Sequence, residues 1–334
     1  MLRFALVPAL LLALAPTPAQ ADTGTEVRFV AEHVLPQGTT FEGTKVGGLS
    51  GLDRDPWTGE YVLISDDRAA ARFYTARISA RGVPTFTAVH ALRDRTGAQY
   101  PPNTVDPEDI RVDPRTGRYV WSQEGDRGTS LVDPSVREAT RTGEFVREYE
   151  LADNLKTRPD SGTRRNEAFE GLALVHGKAV TAVEGPLLQD GPPADHTRGA
   201  VSRITAQTPD RVLAQYAYQQ EPVFAPGGST GVTAILPDGH GRFLVLERSF
   251  VPDVGNKVRL FEATTRGATN VKDRSLAGAE PMRKRLLADL ADFPLSKVDN
   301  VEGMAWGAHR TLVLVSDDNF SASQVTQFIV LALR

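Results

Sequence analysis

Apolar and polar residues alternate in short runs along most of the chain, and clusters of Gly, Pro, Asp and Asn separate the runs. Alternation of period two turns one side of each run to a core, which predicts β-strands; few segments carry a helical period. Two stretches align without gaps. Gly51-Leu52-Asp53-Arg54-Asp55-Pro56-Trp57-Thr58-Gly59-Glu60-Tyr61-Val62-Leu63-Ile64-Ser65-Asp66 matches Asp109-Ile110-Arg111-Val112-Asp113-Pro114-Arg115-Thr116-Gly117-Arg118-Tyr119-Val120-Trp121-Ser122-Gln123-Glu124. The shared Asp-Pro-x-Thr-Gly is turn chemistry, with Asp and Pro opening the bend and Gly taking a positive φ, so each stretch reads as a hairpin. Three further copies run from Glu170 to Glu184, from Gly231 to Glu247 and from Glu302 to Asp317.

The acids that close these hairpins stand at 66, 124, 184, 247 and 317, spaced by 58, 60, 63 and 70 residues. Each interval leaves room for two more strands, at 72–79 and 85–92 in the first and at 200–205 and 211–218 in the third. Four strands per repeat on a regular period is the pattern of a β-propeller. The last copy has room for one further strand, 324–331, while 26–34 alternates and has no neighbour of its own. Closing the ring with that amino-terminal strand gives an all-β propeller of five four-stranded blades. A sixth blade would need strands inside 263–283, where Gly, Thr and Asn predict loop. Met282, Leu286, Leu287 and Leu290 fit an outer strand and a short helix equally.

Composition narrows the chemistry. The chain has 334 residues, 40% hydrophobic and 24% charged, and no Cys, which excludes disulfide scaffolds, thiol nucleophiles and iron–sulfur centres. A net charge of −4 without a basic, aromatic-rich block argues against nucleic acid as partner. Arg3, an apolar run at 4–15, a Pro16-Thr17-Pro18 break and Ala19-Gln20-Ala21 read as a secretory signal peptide over 1–21. The expectation is an exported (periplasmic or secreted) monomer whose single propeller domain covers 22–334, with no later run long enough to span a membrane.

In each hairpin the residue entering the first strand faces the residue leaving the second. Aligned on the closing acid, the entering column is Ser50, Glu108, Glu170, Thr230 and Glu302, and the leaving column is Asp66, Glu124, Glu184, Glu247 and Asp317. The first strand of a blade lines the central channel, so both columns gather at one mouth, with Asp67 and Asp318 beside them. So many carboxylates must take up protons, pair with arginines or bind cations. Oxygen ligands suit hard cations, Ca²⁺ first in an exported protein, and the expected ligands are Glu108, Glu170, Glu302, Asp66, Asp317 and Glu247. Glu170 is the expected catalytic residue, with Glu124 or Glu184 as general base. The long loops 93–107, 152–166, 185–198 and 219–229 reach the same mouth and carry many arginines. Arg68, Arg158, Arg164, Arg165 and Arg248 are candidates to bind a small anionic substrate. Gly227-Gly228-Ser229-Thr230-Gly231 matches G-x-S-x-G, but a strand follows the Ser where a nucleophile elbow needs a helix. The six His show no zinc-site spacing.

Five motifs together resemble the exported bacterial phytase-like family, also described as "esterase-like activity of phytase". They are Gly47-Gly48-Leu49-Ser50-Gly51-Leu52, Ile64-Ser65-Asp66-Asp67-Arg68, Asn166-Glu167-Ala168-Phe169-Glu170-Gly171-Leu172, Asp299-Asn300-Val301-Glu302-Gly303-Met304 and Ser316-Asp317-Asp318-Asn319-Phe320. The resemblance runs from about 44 to 332. It implies a propeller and suggests phosphoester or ester hydrolysis. The functional expectation is a metal-dependent hydrolase; a metal-dependent lactonase and a non-catalytic propeller that binds an envelope ligand are the alternatives.

Overall fold

A computed structural model describes residues 25–128, 130–239 and 241–334; the segment read as a signal peptide lies outside the described residues. The alternating runs form five antiparallel four-stranded sheets. Blade 1 holds Leu49–Arg54, Tyr61–Ser65, Arg72–Ile78 and Pro84–Ala91, and blade 2 holds Pro107–Val112, Tyr119–Gln123, Ser135–Ala139 and Phe145–Glu148. Blade 3 holds Phe169–Val175, Lys178–Val183, Val201–Thr208 and Arg211–Gln219, and blade 4 holds Ser229–Pro237, Arg242–Val251, Gly255–Thr264 and Arg283–Asp289. Blade 5 joins Val301–Trp306, Thr311–Ser316 and Gln327–Leu333 to the amino-terminal strand Val27–Val34, which pairs antiparallel with Gln327–Leu333. The ring therefore closes by joining its two ends, as the unpartnered alternation at both ends predicts. No strand lies between Thr264 and Arg283, so the blades number five, and the ambiguous 282–290 segment is an outer strand capped by a 3₁₀ turn at Leu290–Asp292.

The first strand of each blade is the innermost, and these strands contact one another in cyclic order around the axis. The core lies between blades, in five apolar wedges. Phe169 and Leu172 of blade 3, for example, pack on Val120 and Val136 of blade 2. Inner strands come close enough that a Cβ on Gly171 would meet the Ile235 nitrogen at 3.0 Å. A side chain there would push blades 3 and 4 apart.

Every inner strand has one free edge, and those edges face the axis with carbonyls that no further strand can pair. Arg111, on the inner strand of blade 2 and 2% exposed, fills the axis. Its guanidinium donates to the carbonyls of Leu52, Leu172, Ile235 and Met304, one from each of the other four blades, at 2.5–3.4 Å. It also donates to Asp109 Oδ2 at 2.6 Å. That carboxylate accepts the Leu172 N–H at 2.8 Å, tying blade 2 to blade 3 again. Burial lifts the Asp109 carboxyl to about 7, against the pull of Arg111. The five N–H donors of a guanidinium are thus matched to five acceptors.

Lys in place of Arg111 carries three donors on a single point and leaves at least two acceptors dry. Each unsatisfied buried group costs about 1–3 kcal/mol. The Arg111→Lys protein is expected to melt roughly 5–15 °C lower than wild type by differential scanning calorimetry. An unchanged melting temperature would mean that water serves the axial carbonyls equally well.

Candidate functional site

The first strand of each blade carries a β-bulge near the same end. The pairing slips between Leu49 and Gly51, Pro107 and Ile110, Phe169 and Gly171, Val232 and Ala234, and Val301 and Gly303. A bulge re-aims the unpaired side chain. The residues so released are Ser50, Glu108 with Asp109, Glu170, Thr233 and Glu302. Facing them, just past the second strands, stand Asp66, Glu124, Glu184 and Asp317. Their backbone N–H groups donate to the carbonyls of Gly48, Asp106, Ala168 and Asn300 at 2.7–2.9 Å.

Blade 4 departs from the expected columns. Val232 pairs with Glu247, so the bulged residue is Thr233 and the residue one step beyond the pair is Arg248. The expected ligand Glu247 points away from the mouth. It accepts from the Tyr218 hydroxyl at 2.8 Å, the Glu221 N–H at 2.8 Å and Lys284. The leaving column is therefore four acids and one arginine. Alignment on acidity rather than on the bulge shifted the leaving residue of that blade by one position and its entering residue by three, to Thr230, which pairs with Ser249.

Arg248 is the counter-charge of the mouth. Nη2 donates to Glu184 Oε1 at 2.9 Å, Nη1 lies 3.6 Å from Glu302 Oε1, and Asn300 Oδ1 accepts a further bond. Arg68 does the same on the far side, 3.1 Å from Asp106 Oδ2. Of the other arginines expected to bind substrate, Arg158 pairs with Asp153 at 2.6 Å and Arg164 donates to the carbonyls of Pro186 and Gly191. Arg165 is exposed. None of these three forms an ion pair with an acid of the mouth. Their charges turn onto Asp153 of the same loop, onto carbonyls of the loop 185–198, and outward.

Eight carboxyls share the mouth with two guanidiniums, and burial lifts all eight. Desolvation is the first cause throughout, and neighbouring acids add to it for all but Glu184. Asp66 is pushed up to about 9, with Asp317 and Glu302 its strongest acidic neighbours. Glu124 and Glu302 rise to about 8, Asp317 to about 7 and Asp106 to about 6. Glu108 and Glu170 lie well above the ordinary range, Glu108 raised further by Glu170, Asp106 and Glu124, and Glu170 by Glu184, Glu302 and Glu124. Glu184 is raised less freely, because Arg248 opposes its burial.

The acids divide by place. Among the described residues, two groups bring carboxylate oxygens within 4.8 Å of one another, Asp106 with Glu108 and Glu124, and Glu124 with Glu170 and Glu184. Of the expected cation ligands, Glu108 and Glu170 lie in these groups, and so do the expected catalytic acids Glu124 and Glu184. Asp66, Glu302 and Asp317, from blades 1 and 5, complete the ring outside these two groups, with Glu302 near Glu170. Asp106 was absent from the expected set because it precedes the first strand; the acidic run Asp106-Pro107-Glu108-Asp109 is the signal that marks it. Glu108 and Glu170 are 8% and 7% exposed, and neither carboxylate has a hydrogen bond or ion pair among the described residues. An all-oxygen, buried and partly unpaired donor set fits a hard divalent cation.

Gly48, at φ +60°, closes blade 1's share of the mouth. A Cβ there would lie 2.0 Å from Asp66 Oδ1, and the Gly48 N–H donates to Asp318 Oδ1 at 2.8 Å. Ser229, the nucleophile of the G-x-S-x-G match, opens the inner strand Ser229–Pro237 with no helix after it, so no elbow forms.

These groups come from the motifs that carry the family resemblance, and the model of the phytase-like family, "esterase-like activity of phytase", matches residues 44–320. The chain belongs to the phytase-like family. No curated protein shows significant similarity to it. Among solved structures, the PQQ-bound aldose sugar dehydrogenase of Streptomyces coelicolor is similar at 15% identity and a TM-score of 0.43, over 93% of this chain and 99% of that one. An α-L-arabinanase of Penicillium chrysogenum matches at 11% identity and 0.45, over 86% and 80%. A gluconolactonase of Xanthomonas campestris matches at 13% and 0.38, over 85% and 71%. The propeller assignment for this phytase-like protein rests on its own sheet order. No helix among the described residues is long and apolar enough to cross a membrane.

The mouth dictates a pH dependence. Without a cation these carboxyls hold protons in the folded chain up to about pH 7–9, whereas the unfolded chain releases them near pH 4. The contribution to stability is therefore complete below about pH 4 and is lost as pH rises through the folded values. In chelator, the melting temperature is expected to fall between about pH 5 and pH 9, and excess divalent cation should flatten that fall. A melting temperature that climbs over the same interval in chelator contradicts the burial of the ring.

Proposed function

We propose that the protein is an exported hydrolase that uses a divalent cation, Ca²⁺ first, to cleave a phosphoester or related ester at the acidic mouth. The observation that carries this reading is the pair Glu108 and Glu170, buried carboxylates without partners inside tight acidic groups. Buried charge without a partner is costly, and proteins retain it where chemistry uses it. The family's description as esterase-like supports ester chemistry. The segment read as a secretory signal supplies the argument for export.

Asp106, Glu108, Glu124, Glu170 and Glu184 would hold the cation, which when bound polarises a phosphoryl or carbonyl oxygen and makes water a better nucleophile. The remaining roles fall to the chain itself. Arg248 lines a cleft of roughly 740 Å³ together with Asn300, Lys297 and Asn319, and its fixed charge orients an anionic group of the substrate there. Phe250 and Val254, 41% and 66% exposed, give that cleft an apolar wall for the rest of the molecule. Glu302, beside both Glu170 and Arg248, is pushed up by burial to about 8, which makes it basic enough, once ionised, to take the proton of the attacking water and return it to the leaving oxygen.

Acids already paired to arginine favour a second reading, a ligand-binding propeller with a structural ring; Glu184 and Asp106 are so paired. Steady-state kinetics on phosphomonoesters, carboxyl esters and lactones separates the two. Glu170→Gln keeps the side-chain size and removes the charge. It is expected to lower kcat/KM on the best ester at least about a hundredfold, with an unchanged circular dichroism spectrum. Wild-type kinetics in a folded Glu170→Gln protein moves the assignment to the ligand-binding reading.

A further inference from the structure

We infer that the mouth holds two divalent cations side by side and that Glu124 is the carboxylate they share. The inference rests on the cation reading above and goes beyond it in number and connectivity.

The two acidic groups have one member in common. Asp106 and Glu108 lie on one side of Glu124, and Glu170 and Glu184 on the other. Around a calcium-sized ion, oxygens sit at about 2.3–2.6 Å, so ligands on opposite sides of one ion are roughly 5 Å apart. Each group, with its oxygens within 4.8 Å of one another, has the spread of one coordination shell. Each also contains one buried carboxylate without a partner, Glu108 in the first and Glu170 in the second. A single ion in either group leaves the other group's unpaired carboxylate unserved.

The fold holds Glu124 in the place a shared ligand needs. Its N–H donates to the Asp106 carbonyl at 2.9 Å, and its Oε1 accepts the Ala168 N–H at 2.8 Å. One bond anchors it to blade 2 and the other to blade 3, so the carboxylate spans the blade junction between the two groups. The guanidiniums repeat the symmetry. Arg68 pairs with the Asp106 end and Arg248 with the Glu184 end, and among the described residues neither guanidinium forms an ion pair with Glu108, Glu124 or Glu170 at the centre. Five carboxylates against two guanidiniums call for more positive charge than one dication brings.

The test is isothermal titration calorimetry of the chelator-stripped protein with Ca²⁺, Mg²⁺ and Mn²⁺ in separate experiments, with melting temperature and circular dichroism as folding controls. Two equivalents of at least one of these ions are expected. Glu108→Gln and Glu170→Gln should each reduce the stoichiometry to one, and Glu124→Gln should weaken both events by at least about tenfold. If Glu124→Gln fails to fold, the two single-group variants decide the count on their own. One equivalent in the wild type, or two that survive either single-group variant, overturns the shared pair while the cation reading stands. No binding of any of the three ions overturns both.

Discussion

Five strand edges converge at the axis of this propeller, and their carbonyls have no strand left to pair with. The Arg111 guanidinium meets four of them and ends on Asp109, so one side chain contacts all four other blades at once. A buried charge is a poor source of net stability on its own. Its value here is geometric: the fork has five donors in a fixed arrangement, and each meets an acceptor. That requirement sets the spacing of the inner strands, and the spacing brings the bulged residues above Arg111 into one cluster. The axis thus fixes the mouth.

The mouth in turn is a balance of three ways to neutralise crowded carboxylates. Two guanidiniums cover its ends, protons held on the raised carboxyls neutralise much of the rest in the absence of metal, and the proposed cation would take their place among the unpaired carboxylates of blades 2 and 3. Desolvation raises every one of these groups, so occupancy by protons and by cations must compete. Under the proposed hydrolase reading, an anionic substrate would enter this competition through Arg248, which already spans Glu184 and Glu302 at the edge of the cleft.

Much of this was legible in the chain. The Asp-Pro-x-Thr-Gly hairpins, the recurring acids and the unpartnered alternation at both ends give five blades and the closure by Val27–Val34. What the pattern concealed came from register. A β-bulge leaves no mark in hydrophobic alternation, so the column containing Glu247 was one residue off, and the place of Arg248 as the fourth blade's member of the ring stayed hidden. Arg111 was concealed for another reason. It occupies the position of Asp53 in the aligned repeat, and a polar residue there reads as solvent-facing, although an inner strand of a closed ring has no solvent face. The partners of the basic loop 152–166 were equally hidden: Arg158 is held by Asp153 and Arg164 by the carbonyls of Pro186 and Gly191, while Arg165 is exposed.

Anomalous diffraction from crystals grown with Mn²⁺ tests the central claim, that the blade 2–3 side of the mouth is built for cations, more directly than any rate measurement. The predicted result is two anomalous peaks, one among Asp106, Glu108 and Glu124 and one among Glu124, Glu170 and Glu184. A mouth without anomalous density, its carboxylates bridged only by Arg68, Arg248 and water, would contradict it.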